Sequence, residues 1–454
     1  MSIFTRPFFS ALLVPALVVS LASPASAVDE TTAPIATPVP SPSETALPVD
    51  PNLCSAKSAL SQSALGKFYG YVVDVNTGKI LINVNGEEAT PSASVLKVLS
   101  VAAALTHIPA TYTATTRVLT VPEEPGTIVL QGGGDHTLSN MTKGSYTTYA
   151  KPPRLETLAT QVLNGWTSPE PIKKIILDAS FFKGATYSPY WYSSDRTNGY
   201  ISHITGLQVD SDRANGDQTS YAYSGYRSTD PVLRTGTLFK AALKGLAPKA
   251  VLVKAKTPKT AVELTSVKSQ PITTWMSHAI GISDNTETEF IARHAAKAAG
   301  LSPAFTSIEP MVKNMLGNLG IDSSQLVMKD ASGLAQANRV TPKMITDLMV
   351  KVAQGNTALT PLESYLPVAG VGPGSMGGRF TGKNAVARKF VKGKTGFIPG
   401  LYSLAGIINA KDGSRLAYAI FARSADGKQV GWSTRGALDT VATRFYVCGA
   451  KLGL

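Results

Sequence analysis

Pro91-Ser92-Ala93-Ser94-Val95-Leu96-Lys97 runs on into Val98-Leu99-Ser100-Val101-Ala102-Ala103-Ala104-Leu105 without a helix-breaking residue. The flank is apolar nearly all round, which predicts a buried helix with Ser94 in its first turn. Ser94 and Lys97 are three apart and share one helical face. A serine hydroxyl is a poor nucleophile until a base takes its proton. A lysine amine can be that base when burial and neighbouring cations depress its pKa. Inside an apolar helix such a lysine is costly unless it has partners. The helix N-terminus adds amide donors and a favourable field near Ser94. Taken alone, Ser-x-x-Lys is a weak signal that chains rich in serine and lysine contain by chance, and the bland reading is a lysine snorkelling off a core helix.

Two later segments weigh against that bland reading. Ser283-Asp284-Asn285 precedes a helical stretch, and Lys394-Thr395-Gly396 precedes a strand pair. Ser-x-x-Lys, Ser-Asp-Asn and Lys-Thr-Gly, in that order, are the motifs of serine β-lactamases and penicillin-binding proteins. On these residues the chain resembles a low-molecular-mass penicillin-binding protein of the D-alanyl-D-alanine carboxypeptidase/endopeptidase type, peptidase family S13. Gly132-Gly133-Gly134-Asp135-His136-Thr137-Leu138 is similar to that family's Gly-Gly-Gly-Asp-Pro-Thr-Leu stretch. Asp178-Ala179-Ser180-Phe181-Phe182 with Trp191, and Asp330-Ala331-Ser332-Gly333-Leu334 with Asn338-Arg339, resemble two more of its segments.

The resemblance implies an α+β fold of the penicillin-binding/serine β-lactamase-like transpeptidase type, with an antiparallel sheet flanked by helices and an inserted second domain. It implies a serine D-Ala-D-Ala carboxypeptidase, with endopeptidase action on cross-links as an extension and β-lactams as covalent inhibitors. Ser94 would be the nucleophile, Lys97 its base and Ser283 a proton relay. Asn285, Lys394, Thr395, Gly396 and Phe397 would bind substrate, with the main-chain amides of Ser94 and Phe397 as oxyanion donors. The sequence departs from the family pattern at Phe397, where a small hydroxyl residue usually follows Lys-Thr-Gly. The backbone donor survives that change, but the hydroxyl that would help hold the substrate carboxylate does not. Two other readings stay open: a serine β-lactamase, and a catalytically weak scaffold that binds peptidoglycan. Against the former, neither Glu287 nor Glu289 matches a deacylating carboxylate by motif.

The chain has 454 residues, with 43 Lys+Arg against 30 Asp+Glu and a formal net charge of +13. That length suffices for two or more domains with sizeable cores. The basic balance fits an anionic environment, and a polyanionic cell envelope suits it better than nucleic acid, because no basic run is interleaved with aromatics. Residues 1–27 read as an export signal, with Arg6, a mostly apolar run from Phe8 to Ala22 and Ala25-Ser26-Ala27 as cleavage site. Residues 28–53, rich in Pro, Thr and Ser, read as an extended tether. The expected location is therefore a bacterial envelope, periplasm or wall space, or outside the cell, with no transmembrane anchor. Cys54 and Cys448 are the two cysteines, and in an exported protein they suggest one disulfide, two separate thiols being the alternative. Neither they nor the five histidines have metal-ligand spacing, so no metal and no cofactor are expected.

Chemistry needs Ser94 and Ser283 in one cleft, yet they are far apart in sequence. The intervening chain must leave the catalytic domain and return. This places the catalytic part at 54–124 and 266–454, and an inserted domain at 125–265. Residues 183–230 read as loops with short strands, with Tyr187, Tyr190, Trp191 and Tyr192 packing at the boundary. Asp135 and His136 read as part of a loop that needs glycine's permissive angles rather than as a catalytic pair. Arg339 and Arg379 are candidates for neutralising a carboxylate, with structural pairing as the alternative.

Overall fold

The structure is a computed structural model that describes residues 54–214, 226–355, 357–424 and 430–454. The expected signal and tether, 1–27 and 28–53, lie outside the described residues. A short helix, Lys57–Leu60, precedes a hairpin of β1 (Lys67–Asp74) and β2 (Ile80–Val84). A 3-10 turn, Ala93–Leu96, runs into α1 (Lys97–His107). Next come β3 (Thr115–Thr120), β4 (Thr127–Gln131), α2 (Leu155–Gly165), β5 (Lys174–Asp178), α3 (Pro231–Ala242), β6 (Val251–Lys254) and β7 (Val262–Lys268). The chain then returns through α4 (Ile272–Ile282), α5 (Asn285–Ala298), α6 (Ile308–Asn318) and α7 (Pro342–Gln354). It ends with β8 (Val391–Ile398), β9 (Leu401–Asn409), β10 (Arg415–Arg423) and α8 (Trp432–Cys448).

The catalytic part is built on an antiparallel sheet in the order β10-β9-β8. The β1–β2 hairpin lies along β10, where Val75 N donates to Arg415 O at 2.8 Å and Gly66 bridges Arg423. Side chains alternate across a strand, and both faces of this sheet are apolar. Leu416, Tyr418 and Ile420 of β10 join the core with Leu438, Val441 and Phe445 of α8. Ala417, Ala419 and Phe421 point the other way, into the core that holds Val95 to Ala104 and α4 to α7. Through Ala104, α1 is therefore apolar nearly all round because it is buried all round.

The second sheet has the order β6-β5-β4-β3-β7. β3 pairs antiparallel with β4 and β7, while β4, β5 and β6 run parallel. Parallel neighbours need crossovers, and α2 and α3 supply them. Leu158, Val162 and Phe239 from those helices cover Val118, Ile128, Leu130, Ile175 and Leu177. The strands of this sheet span Thr115 to Lys268. At its neck Ala114 N donates to Ser269 Oγ at 3.0 Å, and Ser269 N to Ala114 O at 2.9 Å.

In the stretch 183–230 the described residues hold a short helix, Ser193–Thr197, and no strand, contrary to the short strands expected there. Side-chain bonds to turns order this stretch: Trp191 Nε1 donates to Asp330 Oδ2 at 2.8 Å, which docks it on the catalytic part. Cys54 and Cys448 form a disulfide with Cα atoms 5.3 Å apart. Cys54–Ser55 also pairs with Leu452–Gly453, so both chain ends of the folded part are tied together. Among the described residues no helix is long and apolar enough to cross a membrane.

Candidate active site

Ser94 sits in the 3-10 turn just ahead of α1, and Lys97 is the first residue of the helix proper. The turn is held against its own preference: Ala93 has φ +48°, a left-handed conformation costly for a residue with a Cβ. Neighbours over-determine it. Ser403 Oγ of β9 donates to Ser92 O at 2.6 Å. A Cβ on Gly396 would meet Ser403 Oγ at 2.2 Å and Ser92 O at 2.6 Å, so β8 approaches the turn this closely only with glycine there. A Cβ on Gly333 would meet Ala93 O at 2.0 Å from the other side.

Lys97 is fully buried and its three donors are all used. Its Nζ reaches Ser94 Oγ at 3.0 Å, Asn285 Oδ1 at 2.6 Å and Ser332 O at 2.7 Å. Burial brings its amine down to about 8, while the carboxylates of Asp330, Glu289 and Asp284 act to raise it. Ser283 ends α4 in the left-handed region at φ +67°, and Asp284 caps α5 by accepting from Glu287 N at 3.0 Å. This tight turn presents the Ser283 hydroxyl to Lys394 and the Asn285 amide to Lys97. Lys394 Nζ donates to Ser283 Oγ at 2.8 Å and to Thr395 O at 2.8 Å. Burial, and then the charge of Lys97, hold the Lys394 amine well below its usual value. Asn285 Nδ2 donates to Tyr200 O at 3.0 Å, which fixes the amide with its oxygen toward Lys97.

β8 is the outer strand of its sheet. Residues 367–369 cover its free edge only as far as Gly393, through Gly393 N to Pro367 O, Ala369 N to Val391 O and a bridge from Val368 to Lys392. Beyond that point Lys394-Thr395-Gly396-Phe397 borders the Ser94 turn. Lys394 and Gly396 face the turn, and Thr395 and Phe397 alternate to the opposite side. Phe397 is 45% exposed, with its ring 4.7 Å from that of Tyr402, its cross-strand partner.

The structure thus brings these residues together as two hydrogen-bonded groups, Ser94–Lys97–Asn285 and Ser283–Lys394, close enough for the charge of Lys97 to act on Lys394, with Thr395, Gly396 and Phe397 on the adjoining strand. Arg379 is buried in an ion pair with Asp439 at 2.6 Å. Arg339 donates to Gln336 O and Asn338 O. Asp135 accepts from Thr137 N and Oγ1, and His136 lies within 3.3 Å of Glu287 among Tyr149, Trp275 and Phe290.

Two supports of the cluster escaped the sequence reading. Glu289 is fully buried and accepts from Ala331 N at 3.0 Å and Ser332 N at 2.8 Å, which orients the peptide whose carbonyl takes Lys97. Burial, and then the charge of Asp330, push its carboxyl up to about 8. Its spacing four residues after Asn285 was the available signal, since that puts both on one face of α5. The Ser332 carbonyl is main chain and left none.

The sequence profile of the D-Ala-D-Ala carboxypeptidase 3 (S13) family matches residues 54–225 and 216–445. The chain belongs to the S13 family. Carboxypeptidase DacB of Mycolicibacterium smegmatis is 32% identical to this S13 chain over 432 residues, or 94% of this chain and 90% of that protein. The structure of penicillin-binding protein 4 (DacB) from Haemophilus influenzae matches with a TM-score of 0.71 at 18% identity, covering 86% of this chain and 98% of that one. A second structure of that protein, complexed with a β-lactam, matches with a TM-score of 0.65, again at 18% identity and over 86% of this chain and 98% of that one. At that identity the match establishes the penicillin-binding-protein fold.

Proposed function

We propose that this S13 protein is a serine-type D-Ala-D-Ala carboxypeptidase of the bacterial envelope, acting on peptidoglycan stem peptides and acylated by β-lactams. The observation that carries this is the continuous chain Ser94–Lys97–Asn285 beside Ser283–Lys394. It supplies a nucleophile, a depressed amine for its proton, and a second hydroxyl–amine pair for the leaving group.

Ser94 Oγ attacks the carbonyl carbon of the penultimate residue while Lys97 Nζ takes the hydroxyl proton. The negative oxygen that forms lies toward the main-chain amides of Ser94 and Phe397. As the C–N bond breaks, the departing D-alanine nitrogen gains a proton through Ser283, with Lys394 behind it. Water then cleaves the Ser94 ester, and Ser94 recovers its proton. Lys394 also places positive charge beside the terminal carboxylate. Action on cross-links as an endopeptidase uses the same bond geometry over Ser94. Export follows from the leader-like residues 1–27. We draw the inserted domain from 114 to 269, where the neck bonds lie, against 125–265 read from sequence.

The test is intact mass after mixing the protein with benzylpenicillin, alongside Ser94→Ala, followed by release of D-alanine from a D-Ala-D-Ala peptide. One drug adduct on the parent alone, with D-alanine release, is the expected result. No adduct and no D-alanine release would overturn the enzyme reading. Rapid drug loss without an adduct would favour a β-lactamase.

A further inference from the structure

We propose a second binding site, for an oxyanion-bearing ligand, in the cavity between the insert's sheet and the C-terminal end of α5. It is an open cleft of about 570 Å³, a size usual for small-ligand pockets. Arg117, Lys183 and Lys297 line it, against one carboxylate, Asp178. That carboxylate is already engaged, accepting from Ser180 N at 2.8 Å, Thr257 N at 2.9 Å, Thr257 Oγ1 and Gln131 Nε2. Arg117 gives Nε to Glu263 at 3.0 Å, which leaves its two terminal amino groups. Among the described residues neither Lys183 nor Lys297 has an acidic partner within ion-pair distance.

The lysines are close enough to disturb each other. Burial, and then the charge of Lys183, lower the pKa of Lys297, whose ammonium lies 3.8 Å from the centre of the Phe181 ring. Like charges gathered around a concave surface repel, and a bound anion would relieve that repulsion. Phe181 and Leu301 add apolar contact for a ligand's carbon skeleton. The cavity is separate from the acyl site. Lys297 lies twelve residues beyond Asn285 on α5, roughly 18 Å along the helix axis. Three spaced cations fit a ligand with two or more oxyanion charges, either carboxylates, as on an acidic peptide, or a phosphate.

The test is calorimetric titration of the protein at low ionic strength with glutarate and, separately, with inorganic phosphate. The comparison is a Lys183→Met/Lys297→Met variant. Both lysines are exposed, and methionine keeps an alkyl stem over Phe181, so benzylpenicillin acylation should be unchanged. The expected result is binding of one anion per chain, weakened at least tenfold by the variant and by added salt. Binding of glutarate alone assigns the site to carboxylates, and of phosphate alone to phosphate. No heat with either anion, or identical isotherms for parent and variant, would overturn the proposal. So would loss of acylation in the variant, which would join these lysines to the Ser94 site.

Discussion

Lys97 Nζ lies 3.0 Å from Ser94 Oγ, with the same nitrogen pinned by Asn285 Oδ1 and Ser332 O. The geometry suits proton transfer, but only the neutral amine can accept. With the amine at about 8, most of it is protonated at pH 7. Acylation by benzylpenicillin should therefore rise with pH from 6 and level off above about 8. The midpoint will belong to the Lys97–Lys394 pair, because the charge of Lys97 acts on Lys394. Timed intact-mass measurements give the profile, and a rate flat from pH 6 to 9 would take the base role from Lys97. Lys97→Ala should slow acylation by roughly 10²–10⁴-fold.

Glu289 acts on Lys97 only through the Ala331–Ser332 peptide, so it is a positioning residue. Glu289→Gln keeps a carbonyl oxygen for both amides and should leave acylation at pH 7 within about threefold. Glu289→Ala leaves two buried N–H groups without an acceptor, about 1–3 kcal/mol each. It should slow acylation at least tenfold with folding retained. Equal damage from Gln and Ala would mean that the carboxyl itself, not its acceptor oxygen, is needed.

The fold's outline was legible because its signals are local. Two near-continuous apolar runs, β9 and β10, joined by Lys411-Asp412-Gly413, and the unbroken run after Lys97 mark the sheet and its central helix. The placing of Ser94, Lys97, Ser283, Asn285 and Lys394 near one another was legible only because three motifs, each weak alone, occur in order and in suitable local contexts. The insert's edge was not: Thr115–Thr120 reads as a strand, but only pairing with Val262–Lys268, far along the chain, assigns it to the second sheet. Asp284 was read as one letter of a motif. Its work as helix cap and as partner of Arg213 depends on contacts that no local pattern encodes.

Phe397 turns its ring onto Tyr402, on the side of β8 shared with Thr395. That side faces away from the Ser94 turn, so the side chain at 397 does not reach a carboxylate held over Ser94, while its main-chain amide stays on the strand edge. Phe397→Thr and Phe397→Ala should each leave KM for a D-Ala-D-Ala peptide within about threefold of the parent value. A fall in KM of roughly tenfold with Thr alone, the size of one hydrogen bond to a charged group at about 1.5–3 kcal/mol, would overturn this placement.

The Cys54–Cys448 bond closes a sequence separation of 394 residues and packs in the core on the α8 side of the sheet, whereas Val95 to Ala104 belong to the core on its other side. Closing so long a loop restricts the unfolded chain, and losing such a bond typically costs about 2–5 kcal/mol. A Cys54→Ser/Cys448→Ser variant should melt several degrees lower and acylate at the parent rate. An unchanged melting temperature would mean that the pairing of Cys54–Ser55 with Leu452–Gly453 suffices alone.

Asp284 meets Arg213 at 3.0 Å, with both side chains buried. Burial alone would raise the carboxyl, but Arg213 and the Glu287 amide outweigh it and hold it down to about 2. Because the folded value lies below the unfolded 3.8, the ionised pair stabilises the fold fully above about pH 4. That contribution, about 2 kcal/mol, is lost as pH falls through 2. Asp284→Asn keeps a capping oxygen for α5 but strands the guanidinium, whose Nε and Nη1 have no hydrogen-bond partner among the described residues. It should cost about 3–5 kcal/mol at pH 7. Urea midpoints at pH 7 and pH 2 decide the matter: the gap between parent and variant should shrink at the lower pH. An equal gap at both would mean that the loss comes from the cap or from the Tyr149 hydroxyl, which donates to the same carboxylate at 3.2 Å, and not from the charge on Asp284.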